Sequence, residues 1–149
     1  MSKDQREQFL AGLHVGVLAI PDGARGPLTA PIWYGYEPGG EISVITGEGS
    51  RKGKLLRVGV RVSLVAQNET SPYMYVSAEG PVTSVEPVCD PEAVRALARR
   101  YLGAKGGDAY VEATWEGYEK DPNVLVRIRP ERWLTVDYSR MASVLTPAE

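Results

Sequence analysis

Cysteine and histidine are nearly missing: the 149-residue chain has one of each, Cys89 and His14. A lone cysteine closes no internal disulfide, which agrees with a reducing compartment and an expected cytoplasmic location. One histidine, one cysteine and no cluster of carboxylates leave no ligand set for a dedicated zinc site. They also leave no Cys–His or Ser–His–Asp set, so nucleophilic hydrolysis has no machinery. No apolar run reaches membrane-spanning length, and the polar start MSKDQREQFLAGL does not read as a signal peptide. Excess charge of one sign is lacking too. Seventeen Lys and Arg against 19 Asp and Glu give a net charge of −2, no reason to expect nucleic acid or an acidic membrane as partner. No internal repeat, linker or low-complexity segment divides the chain, so 1–149 is expected to be one domain.

What is present is punctuation. Ser2 caps a predicted helix over Lys3 to Leu10, ended near Gly12. His14 to Ile20, HVGVLAI, reads as a strand ending at the turn Pro21-Asp22-Gly23. Leu28 to Tyr36, LTAPIWYGY, is the next strand, with Pro31 restricting it to an edge or a bulge. Pro38-Gly39-Gly40 turns it into Ile42 to Thr46, ISVIT, completing a meander. Val60 to Gln67 alternates apolar and polar residues, as a half-buried strand does. Tyr73 to Val85 is a long strand, expected to bend at Gly80-Pro81. Asp90 and Pro91 open a helix with Val94, Leu97, Ala98 and Tyr101 on one face, stopped by Gly103. Asp108 to Lys120 reads as a second helix, and Val124 to Ile128 and Trp133 to Tyr138 as closing strands. The tail after Arg140 is expected to be loose. This pattern predicts a mainly β protein, a small and largely antiparallel barrel with a few peripheral helices.

The segment TGEGSRKGKLLR, Thr46 to Arg57, resists the familiar phosphate motifs. Five residues separate Gly47 from Gly53-Lys54, where a P-loop has four, and Leu55 stands where Ser or Thr should meet magnesium. Read as a dinucleotide fingerprint, it places Lys52 where the third glycine belongs. Yet its chemistry suits an anion. Ser50 is a good N-cap for one or two helical turns with Leu55 and Leu56 facing inward. Free N–H groups at the helix start, the Ser50 hydroxyl, the Arg51 fork and the Lys52 point charge all favour a phosphate. A solvated basic helix start remains the alternative. Trp33, Tyr34 and Tyr36 would lie nearby if LTAPIWYGY pairs with ISVIT, offering aromatic surface to a flat ring. Core packing is the commoner role for each of them singly.

SRKGKLL after a strand resembles the phosphate-binding segment of the pyridoxamine 5'-phosphate oxidase-like split β-barrel flavoproteins. LTAPIWY, VRVSLVAQ, PYMYVSAEGPV, RRYLG and VRIRPERW, in this order, are similar to the deazaflavin branch, the F420-dependent oxidoreductases. The resemblance implies a Greek-key-like split β-barrel and a homodimer with two shared cofactor sites. It implies that Ser50, Arg51 and Lys52 hold the cofactor phosphate, with Pro31, Ile32 and Trp33 facing the ring and Ile45 and Thr46 beside it. Tyr73 and Tyr75 fall where the partner subunit completes such sites, and Gln67 is a further candidate. Lys54, Arg57 and Arg61 suit the acidic oligoglutamate tail of F420, whereas FMN needs only the Ser-Arg-Lys group. The implied activity is hydride transfer between F420 and a conjugated small-molecule substrate. FMN as cofactor and a non-catalytic F420 carrier are the alternatives. The late Arg-x-His element of true pyridoxamine phosphate oxidases is missing from VRIRPERWLTVDYSR, which excludes vitamin B6 oxidation from the resemblance. His14, the one histidine, is expected to be structural.

Overall fold

A computed structural model describes residues 1–145. Eight antiparallel strands form one curled sheet, packed with helices outside it. The chain opens with α1 (Lys3–Ala11), where Ser2 and Gln5 exchange side chain–backbone hydrogen bonds in a capping box and Gly12 ends the helix. It continues through β1 (Gly16–Ile20), β2 (Leu28–Ile32), β3 (Tyr34–Gly35), β4 (Ile42–Gly47), the short α2 (Arg51–Leu55) and β5 (Arg61–Gln67). Then come β6 (Met74–Pro87), α3 (Pro91–Lys120), β7 (Asn123–Ile128) and β8 (Arg132–Asp137). No helix of the described residues is long and apolar enough to cross a membrane.

Strand order along the sheet is β2-β1-β5-β6-β7-β4-β3, with β8 also on β6. The two ends of this path, β2 and β3, are consecutive pieces of one stretch of chain, separated only by Trp33. The sheet therefore curls back on itself and is split at Trp33. One continuous strand over Leu28 to Tyr36, paired with ISVIT, was the expectation. As a meander requires, β2 pairs with β1, but the stretch is broken at Trp33 and only Tyr34–Gly35 pairs with β4. Pro31 does lie on an edge, since β2 has β1 on one side alone.

Inside the curl the alternation of burial is strict. Leu18, Ile20, Val44, Leu64, Val76, Val126 and Ile128 are essentially inaccessible, and Leu56 closes the core from α2. Tyr34 belongs to this core too, its hydroxyl donating to the Leu10 carbonyl at 2.7 Å. Burial holds that phenol well above its usual range. Strand β6 runs through both halves of the barrel, with a register shift between Val82 and Ser84.

Two expectations about helices are corrected. The segment after Gly103 is helical from the glycine onward, not from Asp108, so α3 is one run broken only where Gly103 takes φ 75° and ψ 175°. The end is not wholly loose, because Ser139–Met141 form a 3₁₀ turn and Ala142–Leu145 a helical turn. Residues 146–149 lie outside the described residues.

Candidate cofactor cleft

A cleft of about 330 Å³ opens at the split in the barrel. Pro31, Ile32 and Trp33 come from the β2–β3 break, Ile45 and Thr46 from β4, and Lys52 from α2. Six sequence candidates thus share one wall. The opposite wall is α3, which contributes Val94, Leu97, Ala98, Tyr110 and Tyr118. None of these five was singled out from the sequence as a site residue.

Three residues of RRYLG, Arg99, Arg100 and Tyr101, brace α3 internally and hold it over the cleft, each by different chemistry. Arg99 makes a two-pronged pair with Asp108 (2.8 Å for both contacts), and Arg95 adds a third bond to the same carboxylate at 3.0 Å. Those guanidiniums hold the Asp108 carboxyl down at about 2. Arg100 donates to the carbonyls of Ala11 and Gly12, tying α3 to the end of α1. Tyr101 stacks on Trp33 with ring centres 5.0 Å apart, while its hydroxyl donates to the His14 carbonyl at 2.7 Å. The two halves of α3 approach so closely that a Cβ on Gly107 would stand 2.6 Å from the Arg99 backbone nitrogen. Only glycine permits that contact.

Around the phosphate candidates the structure divides the work. The Ser50 hydroxyl donates to the Gly47 carbonyl at 2.7 Å and accepts from the Gly53 amide at 3.0 Å, so it caps α2 and shapes the loop. Arg51 is paired with Asp22 of the β1–β2 turn and does not line the cleft. Lys52 does line it, half-buried and without an ion pair among the described residues. Lys54 and Arg57 are exposed outside the cleft. Arg61 is taken up elsewhere, by Glu79 at 3.0 Å and Glu131 at 2.8 Å, which removes it from the group suited to an acidic tail.

Tyr73, Tyr75 and Gln67 lie away from this chain's cleft. Gln67 and Tyr75 are cross-strand neighbours, so their side chains project from one face of the sheet. In the next row of that face stand Pro31, Val17, Val65, Ser77 and Leu134, each opposite the next. Pro31 at one end is a cleft residue, and Leu134 at the other is 62% exposed. His14 does not line the cleft and packs against the end of α1. Its ring stacks on Phe9, and its Nε2 lies 3.0 Å from the Phe9 carbonyl.

The chain is thus a split β-barrel with an apolar and aromatic cleft at the split and an ammonium in the cleft wall. The family described as pyridoxamine 5'-phosphate oxidase matches residues 2–136, and the chain belongs to it. A conserved hypothetical protein from Mycobacterium tuberculosis superposes with a TM-score of 0.70 at 25% identity, over 100% of this chain and 91% of the other. An F420 reductase matches with a TM-score of 0.64 at 20% identity, covering 86% of this chain and 94% of its own. An FAD-binding protein from Mycobacterium smegmatis matches at 0.58 and 16%, over 91% and 96% of the two chains. No curated protein matches the sequence.

Proposed function

We propose that the chain is an oxidoreductase that holds the deazaflavin F420 in this cleft and passes a hydride to a conjugated organic substrate. The observation that carries the reading is the meeting of Pro31, Ile32, Trp33, Ile45, Thr46 and Lys52 around one cavity. At about 330 Å³ the cavity is at the small end of the range for ligand sites, roughly 300–1,000 Å³. It suits a flat tricyclic ring, with the rest of the cofactor running out past α2. In this reading Lys52 meets the phosphate, and Lys54 and Arg57, exposed and close to it in the chain, are available to a polyanionic tail. The likeness to an F420 reductase supports the same choice at the level of fold.

When bound, the reduced cofactor supplies the hydride. The protein's own contribution is to orient the ring against the β2–β3 backbone and to cover it with α3. The apolar Val94, Leu97 and Ala98 side chains keep water from that face. FMN is the second reading, favoured by the withdrawal of Arg61 from the outer cations and by the fold shared with FAD-binding proteins.

The functional unit in this reading is a homodimer. The outer sheet face running from Pro31 to Leu134 is apolar for most of its length and carries Tyr75 and Gln67, with the exposed Tyr73 just before β6. A second copy packed there brings its tyrosines toward the cleft beside Pro31 and buries Leu134, Tyr73 and Val15.

Turnover separates an enzyme from a carrier. Protein mixed with a large excess of reduced F420 and a panel of conjugated acceptors should oxidise many equivalents of cofactor per chain. Oxidation limited to one equivalent with every acceptor, despite tight binding, would identify a carrier.

A further inference from the structure

A second cavity, of about 450 Å³, lies under the first half of α3, beyond the cofactor cleft. Its floor is the outer face of β3, β4 and β7, and the register aims the side chains there. Gly35 stands opposite Ser43 and Ser43 opposite Arg127, so the three share one face of the sheet. Ile45 is two residues further along the chain and Glu41 two residues back, which brings both to that face. The residues between them, Ile42 and Val44, point into the core, as does Val126 beside Arg127. From α3 come Ala93, Ala96, Leu97 and Arg100, spaced to lie on one side of the helix. Small side chains on both walls, Gly35 and Ser43 below and Ala93 and Ala96 above, leave the space open.

Charge is sorted along this groove. Arg100 and Arg127 supply two guanidiniums and Glu37 and Glu41 two carboxylates, and among the described residues none of the four pairs with another. Arg100 donates instead to the Ala11 and Gly12 carbonyls, and Glu41 accepts from the Thr83 hydroxyl at 2.7 Å. The Arg127 guanidinium has no hydrogen-bond partner among the described residues. Along the floor a carboxylate at Glu41 is followed by Ser43 with Arg127, then by apolar Ile45, in steps of about 7 Å. Ile45 and Leu97 also line the cofactor cleft, and they separate the two spaces.

A simple anion in the groove would meet the two carboxylates, and a simple cation the two guanidiniums. A free α-amino acid carries both charges and a side chain on a single carbon. With its carboxylate on Arg127 and Ser43, its ammonium reaches toward Glu41 and its side chain toward Ile45 and Leu97. We propose that this groove is a second ligand site, separate from the cofactor cleft, for a free α-amino acid with an apolar side chain. The site uses no cofactor, so it stands or fails independently of the redox reading.

Leucine is the probe, added without cofactor to the full chain labelled with nitrogen-15 and followed by amide chemical shifts. Shifts should cluster at Ser43, Ala96 and Arg127. N-acetylleucine lacks the ammonium and leucinamide the carboxylate, so each should bind about tenfold more weakly or worse. Arg127→Gln, an exposed substitution, should weaken leucine by a similar factor of about ten or more. Ala96→Phe, at an exposed position of α3, should abolish binding by filling the space. Arg25→Gln removes an exposed cation from the β1–β2 turn and should change nothing. Shifts confined to the cofactor cleft, or leucine affinity that Arg127→Gln and Ala96→Phe both leave intact, would overturn the site. N-acetylleucine or leucinamide bound as tightly as leucine would overturn the ligand class. The absence of any shift with leucine at millimolar concentration would overturn both.

Discussion

Lys52→Ala is expected to weaken binding of the intact cofactor by roughly ten- to more than a hundredfold, the loss of a charge-assisted contact of on the order of 1.5–3 kcal/mol. The side chain is half-buried in the cleft wall and has no competing carboxylate among the described residues. Its charge is free to meet a phosphate. Arg51→Ala should cost less, because Asp22 already holds that guanidinium and the side chain is 54% exposed. A cofactor fragment without the phosphate should bind wild type and Lys52→Ala alike. Absorbance titration of each variant, after circular dichroism has confirmed folding, reads these differences. Equal affinity of Lys52→Ala and wild type for the whole cofactor would place the phosphate elsewhere.

Leu134→Glu is expected to split the homodimer proposed above. The side chain stands 62% exposed on a strand facing outward, so a carboxylate there is tolerated by the isolated chain. Across a two-fold interface the same change acts twice. Each copy loses a buried leucine, worth on the order of 1–2 kcal/mol at this exposure, and each carboxylate loses water without gaining a partner. Association should fall by about a hundredfold or more. Light scattering should give about twice the 16.2 kDa chain mass for wild type and a single chain mass for Leu134→Glu at the same micromolar concentration. Cofactor affinity should fall with it, since Tyr73 and Tyr75 of the neighbour no longer reach the cleft. A wild type that is monomeric yet binds cofactor fully would remove the partner from the site.

The strands and most boundaries were legible because local chemistry sets them. Ser2 with Gln5, Pro21-Asp22-Gly23, and Asp90 with Pro91 all act within a few residues of themselves. Pro31 announced an edge for the same reason: it has no N–H to give. The break at Trp33 was not legible. It depends on Tyr101, 68 positions further along, whose ring stacks on the indole and whose hydroxyl meets the Tyr34 amide at 3.1 Å. The start of the second half of α3 was misplaced because Ala104 to Gly107 contains two poor helix formers. Tertiary contacts, Gly107 against Arg99 and Asp108 against two arginines, override that propensity. The face Val94, Leu97, Ala98 and Tyr101 was visible as an apolar stripe. What it covers was not, since periodicity identifies a buried side without naming its partner. The same limit hid Tyr110 and Tyr118. Arg61 looked free in a basic cluster, and only the fold brings Glu79 and Glu131 to it.

Titration of the wild-type protein with F420 and with FMN, each followed by absorbance at low and at high salt, tests the deazaflavin assignment most directly. F420 should bind more tightly at low salt and lose more affinity as salt is raised, because Lys54 and Arg57 are exposed and their attraction to a polyanionic tail is screened. FMN binding, resting on the half-buried Lys52, should change less. Tighter binding of FMN than of F420 at low salt would contradict the assignment and make FMN the cofactor of the cleft.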